Sequence, residues 1–206
     1  MRSVRHRDRA KNVLVVFAHP RPDSFIGAVA ERAVTALRGA GHEVRTQDLY
    51  AEQFDPAVSK LEWRSLTGKT DEPSLGLETS VANLRWCEAL VFVYPTWFGA
   101  QPAILKGWFD RVWVAGVAYR LPANGGFLRP MLRNVRAITV LTSHGSPKRI
   151  NMLQGEPGKR VILRGLRTLC HPLCRTRWLA FYGNDLASHA DRTAFLATVS
   201  RKMARS

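Results

Sequence analysis

Apolar runs alternate with amphipathic stretches along most of the chain. Asn12–Ala18 is almost entirely apolar, as expected for a central strand that is covered on both faces. Ser24 is a suitable N-cap for the segment that follows it. That segment extends to about Arg38 and repeats apolar residues at helical spacing: Phe25, Val29, Ala33 and Leu37. These two patterns predict a buried strand followed by an amphipathic helix.

The alternation continues through the rest of the chain. Further strands are predicted at Glu43–Asp48, Ala89–Tyr94, Arg136–Thr142 and Thr176–Tyr182. Further helices are predicted at Leu75–Trp86, Pro102–Val114, Lys159–Leu169 and a C-terminal stretch up to about Met203. The periodicity fades in Leu49–Pro73, with a short helix around Lys60–Leu66, in Ala115–Asn134 and in the polar loop Ser143–Gly158. Strands alternating with helices predict an α/β fold around a parallel sheet, with the more polar Glu43–Asp48 near its edge.

Length and hydropathy predict a single domain without a membrane span. A chain of 206 residues is predicted to form a single domain over residues 12–206, preceded by a basic arm at residues 1–11. No window of eighteen apolar residues occurs, so no integral membrane segment is expected. Val13–Ala18 is too short for the core of a signal peptide, and a cytoplasmic location is therefore predicted.

Cysteine content and charge exclude some classes of function. The sparse set Cys87, Cys170 and Cys174 argues against a disulfide framework, and no second ligand pair at zinc-like spacing accompanies it, so no metal site is predicted. The formal net charge of +15 would suit a nucleic-acid binder, but the chain carries none of the usual recognition motifs. We therefore expect no nucleic-acid partner and interpret the charge as attracting phosphorylated cofactors or anionic substrates.

Two segments that follow predicted strands carry candidate chemistry. His19-Pro20-Arg21-Pro22-Asp23-Ser24-Phe25 offers a hydroxyl, two basic side chains and free N–H groups at a helix start, which suit an anion. Ser24 as a plain helix cap explains the same residues equally well. Neither a GxGxxG turn nor a Walker lysine is present. The second segment, Tyr94–Trp113, passes from a strand through a loop with Trp97 and Phe98 into a helix, a position that suits a flat ring with polar edges.

Together these motifs resemble those of the flavin-dependent NAD(P)H:quinone oxidoreductases. The matching residues are His19-Pro20-x-x-x-Ser24-Phe25, Pro95-Thr96-Trp97 and Pro102–Val112, and the resemblance extends in order and spacing over roughly residues 12–182. The family includes DT-diaphorase-like enzymes and the ancillary oxidoreductases of bacterial potassium efflux. The resemblance implies a flavodoxin-like, doubly wound, five-stranded parallel sheet of order 2-1-3-4-5 with helices on both faces. It also implies tightly bound FMN or FAD, NAD(P)H as electron donor, and a homodimer.

The resemblance implies roles for residues in three loops. His19, Ser24 and Phe25 would hold the flavin phosphate, with Arg21 adjacent. Pro95, Thr96, Trp97 and Phe98 would flank the isoalloxazine ring near its N5 and O4 edge. Thr142, Ser143, His144 and Gly145 parallel the family's Thr-Thr-Gly-Gly loop. Their N–H groups would face the N1/O2 edge, where negative charge collects on reduction.

The chain also departs from the family pattern near the flavin. The family's tyrosine and histidine after the fourth strand are not matched, because the corresponding stretch here contains Ile150, Asn151 and Pro157. His144 replaces a glycine and is the candidate proton donor. Of the tyrosines that line the family's acceptor pocket, Tyr119 is the one represented. His144 and Tyr119 are therefore the two candidate catalytic residues.

The resemblance implies an oxidoreductase of the NAD(P)H dehydrogenase (quinone) type. A hydride would pass from NAD(P)H to the flavin, and two electrons would then pass to a quinone-like or other small acceptor in the same pocket, a ping-pong scheme. An alternative is a flavin-binding regulatory subunit of a glutathione-gated potassium efflux system, associated peripherally with the membrane transporter.

Overall fold

The fold is built around a parallel sheet. The computed structural model describes residues 10–60, 62–63, 76–122 and 126–206. Its strands, in chain order, are β1 Asn12–Phe17, β2 Glu43–Asp48, β3 Ala89–Pro95, β4 Tyr119–Arg120, β5 Arg129–Pro130, β6 Ala137–His144 and β7 Arg175–Tyr182. The main sheet has the order β2-β1-β3-β6-β7, and its four neighbouring pairs are all parallel. Counting the strands of this sheet alone, the predicted flavodoxin-like order 2-1-3-4-5 is confirmed.

The apolar content of each strand explains its place in the sheet. Four residues in the middle of β1 and the first six of β3 are buried or nearly so, because both faces of these strands are covered by helices. β2 lies at the sheet edge and is mostly exposed. Its Gln47 is the one buried side chain, and its amide donates to Ser80 Oγ at 2.9 Å. The predicted edge position of this polar strand is confirmed.

Helices cover both faces of the sheet. Their bounds are α1 Phe25–Gly39, α2 Glu78–Trp86, α3 Ala103–Val112, α4 Lys148–Leu153, α5 Pro157–Arg160 and α6 His189–Met203. α1 and α6 pack on one face, where Val29 and Leu37 meet Val199 and Met203. α2 and α3 pack on the other face, where Trp108 is fully buried. β1 and β3 are neighbours in the sheet, and the helices that follow them, α1 and α3, pack on opposite faces. The chain therefore leaves adjacent strands toward opposite faces.

Several boundaries differ from the sequence-based predictions. Residues 115–134, expected to be irregular, contain the short antiparallel pair β4 and β5. The expected loop over residues 143–158 contains α4, and β6 extends to His144 instead of ending at Thr142. The predicted helix over residues 159–169 begins earlier, in α5, and continues as a π-helical turn and a 3₁₀ turn. Pro102 is the N-cap of α3, since its ψ of 149° is extended.

Some expectations fall on parts of the chain that the structure does not describe. They are most of the basic arm at residues 1–11, most of the short helix at residues 60–66, and Leu75 at the start of a predicted helix. Among the helices of the described residues, none combines the length and apolar character needed to cross a membrane.

Candidate functional site

The loop between β1 and α1, residues 19–23, is held by a small hydrogen-bond cluster and is called the first loop. His19 Nδ1 lies 3.1 Å from the Arg21 backbone nitrogen and 2.9 Å from the Arg21 carbonyl oxygen, so the ring is held against the Arg21 backbone. The Ser24 hydroxyl oxygen lies 3.0 Å from the same nitrogen. Ser24 Oγ also accepts the N–H of Gly27 at 3.2 Å as the helix N-cap. As the N-cap, the Ser24 side chain therefore lies at the N-terminus of α1.

The start of α1 presents backbone donors to the outside of the first loop. Among the described hydrogen bonds, none uses the N–H groups of Phe25 or Ile26. Such unpaired groups, with the helix dipole behind them, favour an anion. The close approach of the first loop to α1 requires glycine at position 27, because a Cβ there would lie 1.9 Å from the Pro22 carbonyl oxygen.

Arg21 lies at the surface of the first loop. Its guanidinium forms an exposed ion pair with Asp23 at 2.8 Å. The hydrogen bond and opposite charge of this pair raise the pKa of Arg21 and lower the pKa of Asp23. To assist in holding a phosphate as predicted, the Arg21 guanidinium would therefore have to be shared between the phosphate and Asp23.

The loop after β3, residues 96–101, makes a tight turn and is called the second loop. Trp97 and Ala100 exchange two backbone hydrogen bonds, of 3.1 and 3.0 Å. Both residues between them have positive φ, 47° at Phe98 and 76° at Gly99. Phe98 is fully exposed, and a left-handed aromatic residue is uncommon enough to indicate a functional constraint. The N–H groups of Phe98 and Gly99 take part in none of the described hydrogen bonds.

The end of β6 and residues 145–147, called the third loop, are bonded to the second loop. The Thr96 N–H donates to the Ser143 carbonyl oxygen at 2.7 Å, and the Thr96 and Thr142 hydroxyl oxygens are 3.0 Å apart. Gly145 follows, and a Cβ there would lie 2.4 Å from Asp185 Oδ2. The Gly145 N–H has no acceptor among the described residues. The second and third loops therefore form one hydrogen-bonded edge.

His144 is buried beneath this edge in a network that fixes its tautomer. Asn151 Nδ2 donates to the carbonyl oxygens of Ser146 and Pro147, at 3.1 and 3.0 Å, so its Oδ1 faces His144 Nδ1 at 2.7 Å. Nδ1 must therefore carry the ring proton. The other nitrogen, Nε2, is left as an acceptor 3.3 Å from Thr96 Oγ1. Tyr182 stacks on the ring with centroids 4.6 Å apart. A neutral His144 in this arrangement orients Thr96 rather than donating a proton at Nε2.

Burial lowers the pKa of His144 below its ordinary value of 6.5, against the opposing effects of the Asn151 hydrogen bond and the Glu156 charge. Protonation is therefore less favourable in the folded than in the unfolded chain. Stability from this group is fully present above the unfolded pKa and is lost as the pH falls through the window below about 6.5.

We expect the His144 ring to remain mostly neutral at pH 6.5 in a proton NMR titration. We also expect unfolding free energy to fall less between about pH 7 and about pH 5 in His144→Gln than in the unaltered protein. Titration of His144 at or above 6.5 would contradict the assigned network.

The structure brings most of the predicted site residues to one edge of the sheet. The rings of His19 and Trp97 have centroids 6.3 Å apart, which connects the first loop to the second. Pro95, the last residue of β3, is in register with Ser143 near the end of β6, and Thr142 pairs with Tyr94 at the same edge. The ring of Phe25 packs on the rings of Phe181 and Phe195 instead of on the first loop. Phe25 therefore offers its backbone N–H, not its ring, to the first loop.

Tyr119 is placed differently from the other candidates. It lies in β4, half-buried against the hydrophobic core, and burial raises the pKa of its hydroxyl. No described hydrogen bond or ring contact joins it to the three loops. Asn151, in contrast, enters the sequence-based interpretation only as a departure from the family pattern. Its buried position beside His144 could have been inferred only from α4, which the polar sequence did not predict.

The donor set of the three loops fits a flavin nucleotide. Free N–H groups at the start of α1 suit a phosphate, and those at Phe98, Gly99 and Gly145 suit the polar edge of a flat ring. Trp97 and Phe98 provide partly or fully exposed aromatic surface beside them. Among the described residues, no group of three His, Cys, Asp or Glu side chains is placed to hold a metal ion.

Comparisons with known proteins agree with this geometry. A family model described as the flavodoxin-like fold matches residues 11–204. The chain belongs to this family. A solved NAD(P)H:quinone oxidoreductase from Methanothermobacter marburgensis superposes with a TM-score of 0.82 and 26% identity, covering 95% of this chain and 96% of that one.

Curated relatives agree as well. A ribosyldihydronicotinamide dehydrogenase [quinone] from Mus musculus is 29% identical over 94% of this chain and 90% of its own length. An NAD(P)H dehydrogenase [quinone] 1 from Cavia porcellus is 34% identical over 66% of this chain and 54% of its own length. The predicted resemblance and the predicted class, an NAD(P)H dehydrogenase (quinone)-like oxidoreductase, are confirmed.

Proposed function

We propose that the chain binds FMN or FAD in the three loops and transfers two electrons from a reduced nicotinamide to a quinone-like acceptor by a ping-pong mechanism. The observation that carries the proposal is the convergence of the three loops, joined by the contact between His19 and Trp97 and by the hydrogen bonds from Thr96 to Thr142 and Ser143. The flavodoxin-like family and the quinone-reducing relatives support it.

In this proposal each loop binds a different part of the cofactor. The N–H groups of Phe25 and Ile26, with the Ser24 hydroxyl, would hold the phosphate at the start of α1. The N–H groups of Phe98 and Gly145 would bond the polar edges of the ring. The bound flavin would supply the chemistry of accepting a hydride and passing on two electrons. The protein orients the ring and stabilises negative charge on it with fixed backbone dipoles.

His144 acts in this proposal as a positioning residue. Its Nε2 accepts from Thr96 Oγ1, and its Nδ1–H donates to Asn151, so the side chain holds the second loop against the third. This role replaces the direct proton donation that the sequence suggested for His144. Tyr119, half-buried in β4, stays a candidate for the acceptor pocket.

We also propose that the chain acts as a homodimer. Exposed large apolar side chains occur in the second loop, before β5 and in α4: Trp97, Phe98, Phe127, Leu128, Met152 and Leu153. Apolar surface of this kind is typical of protein or ligand contacts. A second copy of the chain that covers part of it would also enclose the pocket for the nicotinamide and the acceptor.

The decisive experiment is purification followed by absorption spectroscopy and mass identification of any released chromophore. We expect a flavin spectrum and oxidation of NADH, NADPH or dihydronicotinamide riboside by a quinone, with parallel double-reciprocal plots. A colourless protein that binds neither FMN nor FAD on titration would contradict the proposal. Flavin binding without donor oxidation would reduce it to a flavin-binding module.

We expect Ser24→Ala to weaken flavin binding by tenfold or more, because it removes a hydroxyl placed to bond the phosphate. It also removes an N-cap, which costs about 1 kcal/mol of stability. Ser188→Ala is the matched control, since Ser188 caps α6 with a full capping box and belongs to none of the three loops. The two variants should lose similar unfolding free energy, while only Ser24→Ala releases flavin. Equal flavin affinity in both would leave Ser24 as a helix cap alone.

A further inference from the structure

A cavity lies at the edge of the sheet opposite the three loops, where the parallel strands begin. It has a volume of about 680 Å³ and is called the lower cavity. Early residues of four strands line it: Val13, Ala89, Ala137 and Arg175. The three loops of the proposed flavin site follow the other ends of β1, β3 and β6. A strand of six to eight residues spans roughly 20–26 Å, so a small molecule in one site does not reach the other.

The lining of the lower cavity is strongly basic. Lys11, Arg167, Arg175, Arg177 and Arg205 all contribute to it, and of the described residues that line it none is Asp or Glu. The salt bridges within the described part of the chain include none of these cations. Close by, Glu88 accepts the N–H of Asn12, and a terminal Ser206 oxygen lies 3.1 Å from His42 Nε2. Several positive charges therefore face one concave space.

Structural roles account for only part of this charge. Arg177 Nη1 donates to the Lys202 carbonyl oxygen at 3.1 Å, and Arg167 Nε donates to that of Cys174 at 2.8 Å. Such contacts satisfy donors near chain ends and turns without neutralising the guanidinium. Lys11, Arg175 and Arg205 make no described side-chain hydrogen bond. Their charges remain available to a ligand.

The remaining walls indicate what kind of anion fits. Ala137 and Leu163 are partly exposed and form its apolar wall, behind which Val13, Leu37, Val91 and Ile138 are buried, and Thr176 contributes an exposed hydroxyl group. The volume lies within the range typical of pockets for cofactor-sized molecules, and it is much larger than an inorganic phosphate requires. Arginine side chains bind phosphate oxygens in a bidentate manner, while an apolar wall suits a flat base.

We propose that the lower cavity is a second binding site, distinct from the flavin site, for a nucleoside di- or triphosphate. The phosphates would contact Arg175 and Arg205, and the base would lie against the apolar wall. This inference does not depend on the proposed redox function, because the two sites share no described lining residue.

The test is calorimetric titration of the flavin-loaded protein with ATP, at low and at physiological ionic strength. We expect one ATP per chain, and weaker binding of both pyrophosphate and adenosine. The double variant Arg175→Gln/Arg205→Gln should weaken ATP binding by about a hundredfold, since removal of each charge-assisted hydrogen bond costs about tenfold. Both side chains are exposed, so the fold should persist, as circular dichroism and retained flavin would show.

Arg32→Gln is the matched control, because Arg32 is an exposed arginine on α1 outside the cavity. Equal loss of ATP affinity in Arg32→Gln would overturn the proposal in favour of attraction by the overall positive charge. ATP binding that only the flavin-free protein shows would place ATP in the flavin site and would also overturn it. Pyrophosphate binding as tightly as ATP would contradict the role of the apolar wall. If the protein binds no flavin, the same titration of the unloaded protein tests the lower cavity alone.

Discussion

Replacement of Gly27 by alanine is expected to weaken flavin binding and to destabilise the fold. A Cβ at this position would lie 1.9 Å from the Pro22 carbonyl oxygen and 2.7 Å from the Pro22 carbonyl carbon, so the backbone of the first loop or of α1 must move. Overpacking of this kind costs about 1–3 kcal/mol, and more where only backbone can give way. The movement would also displace the N–H groups of Phe25 and Ile26. We expect at least a tenfold rise in the flavin dissociation constant.

Gly39→Ala provides the matched control on the same helix. Gly39 is the last residue of α1, and an added Cβ there would meet nothing within 4 Å. Alanine in a helix is favoured over glycine by about 0.5–1 kcal/mol, so this variant should be neutral or slightly more stable. Thermal unfolding and flavin titration of both variants check the prediction. If Gly27→Ala retains flavin as well as Gly39→Ala does, the first loop does not hold the phosphate.

Arg111→Met is expected to cost about 3–5 kcal/mol of unfolding free energy, the range for breaking a buried ion pair by removing one partner. Arg111 bonds the Glu62 carboxylate at 2.7 Å, and both side chains are largely buried. The same guanidinium also bonds the Asp55 carbonyl oxygen and lies over the Phe54 ring. It therefore attaches the segment after β2 to α3, and its loss leaves the Glu62 charge buried without the guanidinium.

Lys106→Met is the control, because it breaks an ion pair on the same helix that is exposed instead of buried. Lys106 forms an exposed pair with Asp110 at 2.7 Å, and such pairs contribute about 0.3–0.5 kcal/mol. In chemical denaturation, the loss of unfolding free energy should therefore be several-fold larger for Arg111→Met than for Lys106→Met. A loss below about 1 kcal/mol in Arg111→Met would mean that the pair contributes like a surface pair.

The strongly patterned parts of the fold were predictable from the sequence. Leu14 and Leu90 belong to continuous apolar strands, and helical spacing of Val29, Ala33 and Leu37 identifies the buried face of α1. The strand order came from the motif resemblance, because apolar patterning does not specify which strands are neighbours. The polar character of Glu43–Asp48 correctly indicated an edge strand.

Other features depend on contacts that no local pattern records. α4 has six residues and a single buried side chain, Asn151, so it shows no amphipathic repeat. The tautomer of His144 follows from Asn151 and Thr96, which come from different segments of the chain. The buried pair of Arg111 and Glu62 joins residues 49 positions apart. Such long-range partners are set by tertiary packing, and sequence alone offered no signal for them.

The departure of the chain from β1 and β3 toward opposite faces has a consequence for how new specificities could arise. The opening between the first and second loops is created by the strand order and does not depend on which side chains border it. Exposed positions such as Phe98 can therefore be exchanged, or the turn lengthened, while the sheet keeps its pairing. A library that varies only these rim positions should yield altered acceptor preference from a scaffold whose melting behaviour hardly changes.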